Sequence, residues 1–61
     1  MSKAICDADV VAAIVRAMRE LHRWATLDDA VKAGAAERLG VTPVEFEALL
    51  TDDVVLGVMV A

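Results

Sequence analysis

The sequence predicts an all-α domain, a small bundle of three to four helices. Three observations carry this expectation. Threonines stand where helices would begin, at Thr26, Thr42 and Thr51. A threonine hydroxyl at such a place accepts a hydrogen bond from a backbone N–H that has no partner within the helix. Apolar residues recur at three- and four-residue steps between Asp7 and Trp24. Finally, Thr42-Pro43-Val44-Glu45 has the form of a capping box with proline at the first helical position.

The first helix is expected from about Asp7 to Trp24, capped by Asp7 or Asp9. Val11, Ile14, Met18, Leu21 and Ala25 form its apolar face, and Val10, Val15 and Trp24 widen the stripe beyond what one core contact needs. Arg16, Arg19 and Arg23 repeat at the same spacing on another face. Thr26 caps the second helix, which runs to about Leu39. Asp28 and Asp29 fall in its first turn, where the helix dipole favours negative charge. Gly34 lies inside this helix, either to let another helix approach or to break it in two, and Gly40 stands where a glycine closes a helix.

The third helix spans about Pro43 to Leu50. Val41 and Phe46 have the spacing of a hydrophobic staple, and Phe46, Leu49 and Leu50 form the buried face. The fourth segment, Thr51 to Ala61, opens like a helix with Thr51-Asp52-Asp53 and continues through β-branched residues that would also suit a strand. Helix is the preferred reading, because a lone strand needs a partner strand and the chain offers none. The segment carries no charge after Asp53, so it should be covered, by the core or by an interface.

Sixty-one residues make one domain, 1–61. A core of this size supplies only about 3–5 kcal/mol by itself. Cys6 is the single cysteine, so no intrachain disulfide forms, and no Cys/His set has metal-ligand spacing. Hydrophobic residues make up 59 % of the chain, against about 45–50 % in an ordinary domain even with glycine counted. That excess predicts a homodimer or another protein complex. The longest uncharged apolar run, Val54 to Ala61, is eight residues, and a membrane span needs about 20. No targeting segment is read at the start of the sequence, where Asp7 and Asp9 interrupt any apolar core. The lone thiol fits a cytoplasmic location.

The stretch from Ala35 to Leu50 resembles the helix-turn-helix of many bacterial and phage regulators. Ala36 is small where two helices would cross, Gly40 sits in the turn, Val41 plugs the turn into the core, and Phe46 and Leu49 anchor the second helix. The resemblance implies that the outward side chains of that helix, Thr42, Pro43, Val44, Glu47, Ala48 and Thr51, would meet a binding partner. In DNA-binding members they meet the major groove. Here none is basic, no Arg, Lys, Asn or Gln follows Arg38, and Glu45, Glu47, Asp52 and Asp53 would face phosphates. The net charge of −4 points the same way.

The expected function is therefore that of a non-enzymatic regulatory protein working through protein contacts. Val44, Glu47, Ala48, Trp24, Val55, Val58 and Met59 are the candidate contact residues. The alternative is a DNA-binding regulator that uses Arg16, Arg19 and Arg23, extended by Lys3, Lys32 and Arg38. No catalytic, cofactor-binding or metal-binding residues are assigned, and no small-molecule substrate is evident. Cys6 and His22 stand 16 residues apart with no third group to orient them. Asp28-Asp29 and Asp52-Asp53 are adjacent pairs that point about 100° apart on a helix and converge poorly on one ion.

Overall fold

The computed structural model describes residues 5–23 and 27–60, and the expectations placed on Lys3, Trp24, Ala25, Thr26 and Ala61 lie outside them. Among the described residues four helices follow in order: α1 (Asp7–Leu21), α2 (Asp29–Leu39), α3 (Pro43–Leu49) and α4 (Asp52–Val60). No strand occurs among the described residues. The architecture is the all-α bundle expected from the sequence. The radius of gyration is 10.5 Å, the value of a well-compacted chain of this length. Loose packing therefore does not account for the apolar side chains left at the surface.

The helix ends explain the boundaries. At the start of α1 the cap position falls to Cys6, whose side chain caps nothing; its Sγ donates instead to Asp9 Oδ2 at 3.3 Å. Asp7 and Asp9 are inside the first turn, so they act on the dipole rather than as the expected caps. α1 stops at Leu21, earlier than the expected Trp24. His22 adopts a left-handed backbone (φ 54°), and Arg23 N–H donates back to Met18 O at 2.9 Å, which closes the helix without a glycine.

α2 begins later than expected, at Asp29. Its cap is Asp28, whose Oδ1 accepts from Val31 N–H at 2.9 Å, so Asp28 is not a first-turn residue. Gly40 ends α2 with φ 72°, in the role expected of it.

The capping box of α3 is complete. Thr42 Oγ1 accepts from Glu45 N–H at 3.1 Å, and Glu45 Oε1 accepts from Thr42 N–H at 3.0 Å. Val41 packs on the core and Phe46 is buried in it, the placement a staple requires. α4 is a helix, and Thr51 Oγ1 accepts from Val54 N–H at 3.3 Å at its start.

The core sits between α1 and the other three helices. α1 contributes Val10, Ala13, Ile14, Ala17 and Met18, α2 contributes Val31, Ala35 and Ala36, α3 contributes Phe46, and α4 contributes Val54. The inner face of α1 is thus rotated from the expected one. Val11 is half-buried and Leu21 is exposed. Small residues cause the rotation: a methyl added at Gly34 of α2 would lie 3.4 Å from Ala17 Cβ, so the two backbones meet along the alanine side of α1. Gly34 permits this approach and does not break α2. On its other flank α1 receives α4, where Gly57 lies against Val11.

Candidate interaction surface

Helical periodicity sets which side chains of α1 and α4 look outward. With Val10, Ile14 and Ala17 turned to the core, the opposite side of α1 carries Ala8, Ala12, Val15 and Arg19. With Val54 and Val58 turned inward on α4, the opposite side carries Leu56 and Val60, flanked by Met59. α4 lies against α1 and both contribute to one core, so each of these outer sides faces away from it.

The outer side of α4 is apolar and bare. Leu56 is 61 % exposed, Met59 77 % and Val60 78 %. Asp52 and Asp53 sit at its beginning, in the first turn, where their charges suit the helix dipole. The outer side of α1 is a shallow surface of Ala8, Val11, Ala12 and Val15, with Arg16 and Arg19 toward its end. Neither arginine makes an ion pair among the described residues, and neither do Asp52 and Asp53.

The arginine stripe read from the sequence is divided by the fold. Arg16 and Arg19 are exposed on α1, but Arg23 lies beyond the helix end and its Nη1 is 2.6 Å from Asp28 Oδ2. Arg38 pairs with Glu20 across α1 and α2, and Lys32 Nζ is 3.2 Å from Glu47 Oε1, joining α2 to α3. The hydrogen bond from Arg38, and then its charge, hold the Glu20 carboxyl below the usual glutamate range. Hydrogen bonds from Thr42 do the same for Glu45.

The expected contact residues divide as well. Val44 and Ala48 are exposed on α3, Val44 to 81 %, and Glu47 beside them is engaged with Lys32. On α4 only Met59 points fully outward; Val55 is half-buried and Val58 packs on the core. Trp24 lies outside the described residues. Leu56 and Val60 belong to the exposed face and were not singled out by the sequence. Periodicity alone could not name them: only with Val54 buried does a period of 3.6 put 56, 59 and 60 outside.

Cys6 and His22 sit beyond opposite ends of α1, a helix about 22 Å long. Both oxygens of Asp28 are taken, by Val31 N–H and Arg23. No group of three or more His, Cys, Asp or Glu side chains is placed to hold a metal ion among the described residues. Among the described residues no helix is long and apolar enough to cross a membrane. Comparison with protein-family models, curated proteins and solved structures finds no match for this chain.

Proposed function

We propose that this chain is a non-enzymatic regulatory interaction domain on a helix-turn-helix-like scaffold, acting through protein contacts and as a homodimer. The observation that carries the reading is the bare face of Leu56, Met59 and Val60 on a helix whose inner side is already satisfied by the core. Three large apolar side chains grouped on one exposed face are a recurrent mark of a protein-contact surface. Val44 and Ala48 on α3 offer a second, smaller apolar area.

The helix-turn-helix part of the reading is supported by α2, the Gly40 turn and α3, with Ala36 and Phe46 buried and Val41 packed on the core. Duplex DNA is the weaker partner. α3 carries Glu45 and Glu47 on its exposed side and no cation of its own, Glu47 being paired with Lys32 of α2, and of the three arginines proposed for phosphates, Arg23 is committed to Asp28. Neutralising phosphates is the main source of non-specific affinity, and an acidic helix works against it.

A photo-crosslinking residue in place of Met59, introduced in the cell of origin, tests the reading. Discrete protein adducts, the chain's own dimer among them, are expected there and not from the same residue in place of exposed Ala33. Equal labelling from the two positions would refute the contact surface. A gel shift with random duplex at low salt, abolished by Arg16→Ala/Arg19→Ala, would replace it with the nucleic-acid alternative.

A further inference from the structure

We propose that the outer face of α4 docks antiparallel on the outer face of α1 of a second copy, and that the contact is made twice, each chain giving and receiving. The proposal rests on the protein-contact reading above and names the partner and the register.

The two faces complement each other in three respects. Both are apolar over most of their length: Leu56, Met59 and Val60 on α4, and Ala8, Val11, Ala12 and Val15 on α1. One is built of large side chains and the other mostly of small ones, so the first can settle into the second. Each ends in a pair of like charges of opposite sign. Asp52 and Asp53 open α4, and Arg16 and Arg19 lie toward the end of the α1 surface. All four lack an ion partner among the described residues.

The order of these features along the helices fixes the direction. On α4 the acids come first and the apolar residues follow. On α1 the apolar residues come first and the arginines follow. Acid meets arginine while apolar meets apolar only if the two helices run in opposite directions. The lengths agree: α4 is about 13 Å long, and Ala8 to Arg19 spans about 16 Å. Glu20 and Arg38 also line the α1 surface and pair with each other, so Arg16 and Arg19 set the sign at that end.

Reciprocity follows from the fold. α1 and α4 are neighbouring helices of one core, so a second copy related by a two-fold axis gives its α4 to this α1 and receives this α4 on its own α1. Such a self-complementary contact closes at two chains.

The test uses the purified full chain in sedimentation velocity over a concentration series at low and moderate salt. The expected result is a dimer weakened by salt and weakened at least about tenfold by Met59→Glu. Arg16→Glu/Arg19→Glu and Asp52→Lys/Asp53→Lys should each weaken it to a similar degree. Mixed in equal amounts, these two double variants should recover the dimer, because each inverted face then meets its complement in both contacts. Recovery in the mixture also certifies that both variants are folded. A chain that stays monomeric at high concentration overturns the proposal, as does a dimer indifferent to both charge inversions or a mixture that does not recover. Monomer in the centrifuge together with Met59 adducts to a different protein would overturn this arrangement and leave the contact reading standing. Absence of adducts would remove the contact reading itself.

Discussion

Asp28 serves two masters across the junction of α1 and α2: Oδ2 lies 2.6 Å from the Arg23 guanidinium, while Oδ1 accepts from Val31 N–H at 2.9 Å. One carboxylate thus caps the second helix and holds the segment that leaves the first. Asp28→Ala should cost about 1 kcal/mol from the lost cap, seen as a fall in melting temperature of about 4–8 °C for a domain of this size. Arg23→Ala removes only the half-exposed ion pair and should cost less than about 1 kcal/mol. Equal losses in thermal melts of the two variants would show that the ion pair, not the cap, is the dominant interaction.

His22 carries the other unusual feature of that junction. It occupies the left-handed region at φ 54°, where a side chain costs about 1 kcal/mol and glycine costs little. His22→Gly should therefore stabilise the chain by about that amount. Gly40→Ala, at φ 72° with open space around it, should destabilise by a similar amount through backbone strain alone. A His22→Gly variant that melts below the parent would mean that the imidazole makes a contribution larger than the strain.

These two junctions mark where the sequence was legible and where it was not. The third helix could be read almost atom by atom, since Thr42, Pro43, Glu45 and Gly40 are residues with narrow local roles and the structure uses each in that role. The end of the first helix could not, because a histidine does there what glycine usually does. The face of α1 was misread for a different reason. Apolar periodicity weights large side chains, and here Ala13, Ala17 and Gly34 decide the packing by being small. The arginine stripe was correct as a spacing along the chain. The partner of Arg23, Asp28, comes from another segment, and the extensions Lys32 and Arg38 are taken by Glu47 and Glu20. In α4 composition predicted the need for cover, and only the burial of Val54 and Val58 identified which side chains are left needing it.

Acid should loosen the fold through two glutamates. Glu20, held by Arg38, and Glu45, held by Thr42, both titrate below the usual glutamate value of about 4.3. A carboxyl whose folded-state value is depressed contributes stability that is complete above its unfolded value and is lost as pH falls through the folded one. Stability should thus be flat from neutral pH down to about 5 and decline below about 4.3. Glu45→Gln keeps an acceptor for Thr42 N–H yet cannot titrate, so the doubly substituted Glu20→Gln/Glu45→Gln chain should show a shallower acid limb in urea titrations. An unchanged acid limb would show that neither glutamate governs the loss.

Substitutions on the two sides of the seam between α1 and α4 should be coupled. A methyl at Gly57 would lie 3.0 Å from Val11 Cγ2, closer than such carbons normally sit. Gly57→Ala gains about 1 kcal/mol of helix propensity but must displace a β-branched side chain with little rotamer freedom in a helix. Alone, it should bring no net stabilisation. In a Val11→Ala background the obstruction is gone and the propensity gain should reappear. A double-mutant cycle by urea denaturation should then give a coupling of about 1 kcal/mol. Additive effects, within about 0.5 kcal/mol, would mean that Val11 yields freely and that α4 is held against α1 by Val54 and Val58 rather than by this close approach. The distinction reaches beyond stability, because the seam sets how far the outer side of α4 stands from that of α1. A bulkier residue such as Gly57→Leu, by parting the two helices, should also weaken any association that requires both faces at once.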